Sequence, residues 1–373
     1  MNSIWEERSF VKNPDLVVVG AGITGLFTAL HARTQDPHRR ILVLERGPHP
    51  SGASVKNGGF ACFGSPSQLM FDLDNEGADV ALRRVEERWK GLGELRKTLG
   101  DEAIGYEPVG GYELFREGSE LHPRVAERLP ELNRLLHGIF SRDVFSWADD
   151  RLSGLGLHAA HLSWNALEGA VDSGRLMRTL LHRVQGSGVD VRFNTEVDGW
   201  HDQANGMELQ LRSGGVVKAG QAVIATNGYV RNLVPGSDVV PGRGQMLITS
   251  PIPGLKLKGT FHMAEGYYYI RDYDGRVLLG GARHLDFSGE TTMEDGTTAL
   301  IQDNLEQLLR DTIIPGVPFH IEHRWSGVMG FREHGGPTAV EHLSPHVVVA
   351  AGLGGIGVAV GIRVAKRAAD LVA

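Results

Sequence analysis

The chain has 373 residues, of which 50 are glycine, 22% are charged and 41% are hydrophobic, and its formal net charge is −7. The glycine content is roughly twice the usual ~7%, yet it shows neither the three-residue period of collagen nor a low-complexity tract. The mildly acidic balance disfavours nucleic acid or an anionic membrane as a partner.

The single cysteine, Cys62, excludes an intrachain disulfide and a cysteine-based metal cluster, and we expect no metal site. The first 14 residues do not resemble a signal peptide, and we expect a cytoplasmic protein. The uncharged apolar runs at 16–30 and 347–362 are shorter than the ~20 residues of a membrane span, so no membrane insertion is expected.

Residues 15–45 predict a buried strand, a glycine turn, a helix and a second parallel strand. The turn matches the dinucleotide fingerprint: Gly20 permits the tight turn, Gly22 allows close approach of a pyrophosphate, and Gly25 lets the helix pack on the strand. Glu45 lies 20 residues beyond Gly25, placed for ribose hydroxyls, which argues against a 2′-phosphorylated cofactor. A purely structural glycine turn is the alternative.

The rest of the chain predicts alternating helices and strands without internal repeats. The expected elements are a small-residue loop at 51–65, helices at 76–100, 123–139, 168–188 and 297–310, and strands at 110–115, 189–197, 207–212 and 216–228 and within the β-rich segment 241–325.

A second glycine turn, at Gly352, Gly354, Gly355 and Gly357, follows an apolar strand near residue 350. Only 16 residues follow Gly357, which is too few for a helix and a return strand with a ribose-binding acid. We therefore expect the start of its helix to stabilise negative charge on the far part of the same ligand. A tight structural turn is the alternative.

Two further segments have both a structural and a functional interpretation. In the 51–65 loop, Lys56 and Asn57 offer donors to an extended ligand, although the loop could simply be solvated, and Cys62 favours a small buried residue over a covalent cofactor link. In a strand, Tyr267, Tyr269 and Arg271 would share one face, which suits either sheet packing or a pocket wall.

Nine blocks along the whole chain carry a family resemblance. They are VVVGAGITGL, LERG, GASVKNGGF, EGAVDSGRLMRTLL with VRFNTEV, AVIATNGY, RGQM, DGRVLLGG, RWSGVMGF and AAGLGGIGVA. In their order and spacing, the sequence resembles the FAD-dependent amine and amino-acid oxidoreductases typified by D-amino-acid oxidase, glycine oxidase and monomeric sarcosine oxidase.

The resemblance implies an α/β fold, with a Rossmann-like FAD-binding domain and an inserted, mostly antiparallel β-sheet substrate domain. The expected FAD-binding domain is 1–82, 153–235 and 326–373, and the expected substrate domain is 83–152 and 236–325. The implied FAD-binding residues are Gly20, Gly22, Ile23, Thr24, Gly25, Glu45, Arg46, Ala53, Ser54, Lys56, Asn57, Gly58, Gly59, Phe60, Val197, Ala225, Thr226, Asn227, Gly228, Gly352, Gly354, Gly355, Ile356 and Gly357. The cysteine that attaches FAD in some relatives has no counterpart here, so non-covalent FAD is expected.

The implied reaction removes hydride from a carbon next to an amine nitrogen, and the resulting imine then hydrolyses. Where glycine-oxidase-like members carry a carboxylate-binding arginine, this sequence has Met329, which favours a secondary or longer amine over a simple α-amino acid. Where sarcosine-oxidase-like members carry a lysine that assists reaction with oxygen, it has Leu278. The pocket candidates are Tyr267, Tyr269, Arg271 and Met329.

The expected partners are a small amine or amino acid and either oxygen or another electron acceptor. Three alternatives remain: an NAD-dependent dehydrogenase that uses the first fingerprint, a flavin dehydrogenase that passes electrons to a non-oxygen acceptor, and a flavin-binding module without turnover.

Overall fold

The structure, a computed structural model, describes residues 3–6, 9, 12–333, 335–336 and 338–373. In that part of the chain the helices are α1 (Ile4–Glu6), α2 (Ile23–Gln35), α3 (Ala53–Lys56), α4 (Pro66–Glu76), α5 (Ala78–Leu99), α6 (Asp101–Ile104), α7 (Leu121–Phe140), α8 (Leu152–Leu155), α9 (Ser173–Gly186), α10 (Ala299–Leu308) and α11 (Gly357–Leu371). The strands are β1 (Leu16–Val19), β2 (Ile41–Leu44), β3 (Phe60–Ala61), β4 (Gly111–Phe115), β5 (Phe145–Trp147), β6 (His161–Asn165), β7 (Gly169–Ala170), β8 (Asp190–Arg192), β9 (Val197–Gln203), β10 (Gly206–Leu211), β11 (Val216–Ala219), β12 (Gln221–Ile224), β13 (Val239–Thr249), β14 (Thr260–Met263), β15 (Tyr268–Tyr273), β16 (Arg276–Gly281), β17 (Ile321–Arg332), β18 (Ala339–Ser344) and β19 (Val347–Ala351). No helix of these described residues combines the length and apolar character that crossing a bilayer requires.

The chain divides into two compact units. Unit 1 contains the residues through Val55, Met177–Pro241 and Met329–Ala373, and unit 2 contains Lys56–Leu176 and Gly242–Val328. Residues 56–82, 153–176 and 326–328, which we expected in the FAD-binding domain, fall in unit 2, and residues 236–241, which we expected in the substrate domain, fall in unit 1. The reason is packing, since Leu69 and Met70 of α4 share a hydrophobic cluster with Leu132 of α7. That unit 1 binds FAD and unit 2 the substrate stays a prediction.

Unit 1 is built on a six-stranded sheet in the order β18-β19-β12-β1-β2-β8. The pairs β19/β12, β12/β1, β1/β2 and β2/β8 are parallel, and only the edge strand β18 runs antiparallel. Every residue of β1 and β2 is buried, as expected for parallel strands covered on both faces. The predicted strand-turn-helix-strand unit at residues 15–45 is thus confirmed.

The predicted single strand at 189–197 is wrong, because the chain turns between β8 and β9. Asn194 adopts a left-handed backbone with φ of 53°, a conformation that asparagine tolerates better than most residues. Its N–H donates to the Gly47 carbonyl at 2.9 Å, and the Thr195 N–H donates to the Glu45 carbonyl at 2.9 Å. The turn therefore attaches this segment to the residues that follow β2.

The helices that follow the two glycine turns pack against each other in unit 1. Gly361 of α11 lies so close to Ile23 of α2 that an added Cβ would be 2.8 Å from the isoleucine Cγ2. The Thr28 hydroxyl of α2 also donates to the Ala365 carbonyl at 3.4 Å. Small residues thus allow the close approach of the two helices.

Unit 2 contains most of an eight-stranded sheet in the order β17-β13-β16-β15-β14-β4-β6-β5. Its β13/β16, β16/β15, β15/β14, β4/β6 and β6/β5 pairs are antiparallel, and β14/β4 is parallel. One face packs against α10, where Phe261, Ile270 and Leu279 share a core with Ile301 and Leu305. This arrangement confirms the predicted inserted, mostly antiparallel sheet.

Candidate active site

The glycine turn after β1 requires glycine at two positions. Gly20 has φ of 103°, and a Cβ there would lie 2.9 Å from the Ala225 carbonyl oxygen. A Cβ on Gly25 would lie 1.9 Å from the Gly20 carbonyl oxygen. The turn thus brings the start of α2 against β1, with the carboxyl end of the neighbouring β12 beside it, as a dinucleotide site requires.

The first turn of α2 is suited to bind a phosphate. The N-cap residue, Gly22, has no side chain that could accept a hydrogen bond from the first backbone N–H groups of the helix. Free N–H groups at the start of a helix can bind a phosphate. The Ser54 hydroxyl accepts the Ile23 N–H at 2.9 Å. Three predicted cofactor-binding residues (Gly22, Ile23 and Ser54) therefore meet at the positive end of this helix, where Thr24 forms part of the same buried turn.

Glu45, at the end of β2, is 6% exposed and bound by backbone donors. Its carboxylate accepts the Ala21 N–H at 2.9 Å and the Gly47 N–H at 3.0 Å. These bonds fix the carboxylate beside the glycine turn. The next residue, Arg46, stacks its guanidinium 3.8 Å from the ring centre of Tyr229.

The segment after β12 contains a buried hydroxyl that lacks a protein partner. Thr226 Oγ1 is buried and makes no hydrogen bond to any described residue. The Asn227 side-chain oxygen accepts the N–H groups of Gly352 at 3.0 Å and Leu353 at 3.3 Å. Because a buried unpaired hydroxyl is costly, Thr226 fits a site that a bound group completes.

The second glycine turn lies at the same sheet edge as the first, because β19 runs parallel to β12 and β12 runs parallel to β1. Gly352 and Gly354 have φ of 82° and 62°, and the Gly354 N–H donates to the Gly330 carbonyl at 2.8 Å. The turn continues through Gly355 and Ile356 to α11, which starts at Gly357. In unit 1, the predicted cofactor-binding residues that follow β1, β2, β12 and β19 therefore lie along one edge of the sheet. Val197, another of the predicted residues, is the first residue of β9.

The family resemblance implies that the loop from Ser54 to Phe60, here called the flavin-side loop, runs beside the flavin ring. The part of this loop that belongs to unit 2 is held by side chains. Asn57 Oδ1 accepts the Gly59 N–H at 2.8 Å and the Ser173 hydroxyl at 2.7 Å. Lys56 forms an ion pair of 2.8 Å with Asp295. These contacts order the turn, and its role as a ligand-binding loop stays a prediction. Ala53 begins α3 just before it.

Arg271 contacts the same loop from β15. Its guanidinium donates from Nη1 to the carbonyls of Gly59 at 2.9 Å and Val171 at 2.8 Å, and from Nε to the Asp272 carbonyl at 3.0 Å. The residue is 4% exposed. These bonds give Arg271 a positioning role for the loop.

The predicted tyrosine cluster is divided by the structure. Tyr269 lies in β15, half-buried, with its ring centre 6.2 Å from that of Phe60, and burial raises the pKa of its hydroxyl. Gly58 and Gly280 leave room for this ring, since added Cβ atoms would lie 3.2 Å and 2.3 Å from its carbons. Tyr267 precedes the strand and is 37% exposed, so it does not share the Tyr269 environment.

Met329 and Cys62, for which the sequence suggested possible roles, differ in burial. Met329 lies in β17 and is half-buried. Cys62 is a free thiol, 4% exposed, and burial raises its pKa well above the usual range. A protonated buried thiol of this kind is a packing residue.

Sequence reasoning missed a group of buried polar residues in unit 2, chief among them His262. This histidine, in β14, is 5% exposed, and neither ring nitrogen has a hydrogen-bond partner in the described part of the chain. Its cross-strand neighbours are Tyr269 in β15 and Glu113 in β4. A histidine in a four-residue strand has no periodic signal, so only the strand pairing shows these neighbours.

Two buried carboxyl groups belong to the same group of residues. Burial raises the pKa of Glu113 and of Glu168 to about 7, although hydrogen bonds oppose the shift. Glu113 accepts the Ser67 N–H at 3.0 Å and the Ser67 hydroxyl. Glu168 accepts the N–H groups of Phe63 at 2.9 Å and Gly64 at 3.1 Å. These carboxyls fix the segment that follows the flavin-side loop.

Comparisons with known proteins agree with this geometry. Residues 15–371 match the profile of a family described as DAO, FAD dependent oxidoreductase. The chain is 23% identical over 376 residues to the probable oxidoreductase OrdL of Rhizobium meliloti (strain 1021), covering 96% of this chain and 83% of the relative.

Solved structures share the fold. Glycine oxidase from Geobacillus kaustophilus superposes with a TM-score of 0.75 at 22% identity, covering 97% of this chain and 95% of that one. L-proline dehydrogenase from P. horikoshii superposes with a TM-score of 0.74 at 18% identity, covering 97% and 93%.

Proposed function

Because the chain belongs to the DAO family of FAD-dependent oxidoreductases, which act on C–N bonds of amines or amino acids, we propose that it prefers a secondary or longer amine over a simple α-amino acid. The observation that carries this proposal is the side chain of Met329, at the position where the resemblance expects a carboxylate-binding arginine. A thioether cannot make the paired, charge-assisted bonds that hold a carboxylate.

The bonding of Arg271 supports the proposal. Its Nε–H and both Nη1–H groups donate to the backbone carbonyls of Asp272, Gly59 and Val171, so no pair of neighbouring nitrogens remains for the paired bonds that hold a carboxylate.

Bound FAD supplies the hydride acceptor for such a reaction. The protein has to bind the flavin and orient the carbon–hydrogen bond next to the amine nitrogen. The residues that would hold the cofactor in unit 1 are the Gly20–Gly25 turn, Glu45, Thr226 and the Gly352–Gly357 turn. The amine must be uncharged when its carbon loses hydride, because the nitrogen lone pair forms the new C=N bond. Water then converts the imine into a carbonyl compound and an amine or ammonia.

The decisive experiment is anaerobic reduction of the flavin by a panel of glycine, D-alanine, sarcosine, L-proline, putrescine and spermidine. We expect bleaching to be faster, at lower concentration, with the secondary or longer amines than with glycine or D-alanine. Met329→Arg should shift the preference towards glycine and D-alanine, whereas Met329→Gln, of similar volume without the charge, should not. Fast reduction of the unchanged protein by D-alanine with ordinary affinity contradicts the proposal.

A second candidate is a dehydrogenase that passes electrons to an acceptor other than oxygen. It is favoured by Leu278, an apolar, 8% exposed side chain at the position where some relatives carry a lysine that assists oxygen. Oxygen uptake during turnover, compared with reduction of an artificial acceptor, separates the two activities.

A further inference from the structure

The large sheet of unit 2 has two chemically different faces. Phe261 and Ile270 face α10 in an apolar core. Because successive side chains in a strand point to opposite sides, their neighbours His262 and Tyr269 lie on the other face. These two residues are directly opposite each other on adjacent strands. The face thus carries a histidine and a tyrosine side by side.

The environment of His262 is nearly dry and largely aromatic. Its ring centre lies 5.1 Å from that of Phe60 at an interplanar angle of 68°, and Phe60 also contacts the Tyr269 ring at 6.2 Å. Phe60 belongs to the loop that the family resemblance places beside the flavin ring. His262 therefore lies next to the predicted reaction region.

The hydrogen-bonding capacity of His262 is unused. Both ring nitrogens are buried, and neither has a partner within the described residues. The neighbouring Glu113 carboxylate is not a hydrogen-bond partner of the His262 ring, and the bonds that it accepts come from Ser67. Leaving a buried donor and acceptor unpaired is unfavourable, so such a group in a native structure calls for a partner from outside the protein.

We infer that His262 binds the nitrogen of the substrate amine through an unprotonated ring nitrogen and is a specificity-determining residue of this enzyme. The inference rests on the proposed function, because it names the side chain that receives the proposed amine.

The charge state of the ring fits an uncharged ligand. Burial lowers the pKa of His262 to about 4, so the imidazole is neutral near pH 7 and offers one acceptor and one N–H donor. An uncharged amine donates its N–H to the acceptor nitrogen while its own lone pair remains available for C=N formation. A carboxylate in this position would not be stabilised by a positive charge, because the ring is neutral.

The test uses the flavin-loaded protein and tert-butylamine, which has no hydrogen on the carbon next to nitrogen and so cannot be oxidised. Binding is followed by the flavin absorbance and, independently of the flavin, by the ¹⁵N shifts of the His262 ring. We expect Kd to rise about tenfold in His262→Phe, as for the loss of one hydrogen bond, and the imidazole shifts to move on binding in the unchanged protein.

Amide variants keep a neutral donor and acceptor. His262→Asn places its amide near the position of Nδ1 and His262→Gln near that of Nε2, so at least one should stay within about threefold of the original Kd. His158→Phe is the control, because its ring is exposed and contacts the Asp311 carbonyl. Flavin content per chain verifies folding in every variant.

An unchanged Kd in His262→Phe, equal losses in the Phe, Asn and Gln variants, or ring shifts that do not move with tert-butylamine would each overturn the inference. These results are separate from the amine panel. If no panel amine bleaches the flavin, the proposed function fails, whereas bleaching with an indifferent His262 leaves that function standing and removes only this inference.

Discussion

Replacing Arg271 by methionine should destabilise unit 2 and loosen the flavin-side loop. The change removes three hydrogen bonds from a 4% exposed guanidinium, to the carbonyls of Gly59, Val171 and Asp272. A hydrogen bond to a charged group contributes about 1.5–3 kcal/mol, and methionine recovers part of the loss by filling the volume. We expect a net loss of about 3 kcal/mol in the free energy of unfolding.

That loss corresponds to a fall of roughly 6–12 °C in Tm for a unit of this size. Tryptophan fluorescence is a suitable probe, because Trp89, Trp147, Trp164 and Trp325 all belong to unit 2. The flavin should also dissociate more readily, and excess FAD should restore part of the stability by mass action.

The matched control is Arg276→Met in the neighbouring strand β16. Arg276 pairs with Asp274 and Glu322, which are 81% and 46% exposed, and surface pairs of this kind contribute about 0–1 kcal/mol. If Arg271→Met melts like the unchanged protein and only weakens the binding of a panel amine, the positioning role is refuted and Arg271 is a substrate ligand.

Three further predictions concern the turn, the buried carboxyls and oxygen. Gly25→Ala should abolish FAD retention, because its Cβ would lie 1.9 Å from the Gly20 carbonyl oxygen. The control is Gly93→Ala, in an open position of α5, which should add about 0.5–1 kcal/mol to the free energy of unfolding. Flavin content and thermal melts check both variants. The pKa of Glu113 is about 7 in the folded protein and near 4.5 in the unfolded chain. Its contribution to the free energy of unfolding is therefore fully present below pH 4.5 and is lost as the pH rises through 7. Glu113→Gln should remove about 2.5 kcal/mol of that decline between unfolding experiments at pH 5 and at pH 8, and an unchanged slope contradicts the assignment. Leu278→Lys should accelerate reoxidation of the reduced flavin by oxygen in stopped-flow mixing, whereas Leu278→Met should not.

Much of unit 1 could be predicted from local sequence. The fingerprint at Gly20–Gly25 and the acid at Glu45 depend on short spacings, and the structure shows both at the carboxyl edge of the parallel sheet. The sequence also predicts that the second turn serves the same ligand as the first, and in the structure β19, which precedes that turn, lies in the same sheet as β1.

Unit 2 depended on contacts between distant residues, which a single sequence does not display. Arg271 meets Gly59 and Val171, which are 212 and 100 positions away. His262 acquires its neighbours only when β14 pairs with β15 on one side and with β4 on the other. The strand break near Asn194 was missed because that backbone turn is fixed by bonds to Gly47 and Glu45.

The order of strands in unit 1 has a consequence for how the protein is made. Three adjacent central strands come from residues 16–19, 221–224 and 347–351, so they are far apart in the order of synthesis. A ribosome-bound chain that has not yet exposed β19 leaves one edge of β12 unpaired and lacks the helix that packs on α2. Unpaired strand edges invite association with other chains. The nascent chain therefore stays open to association with other chains at this edge until β19 emerges.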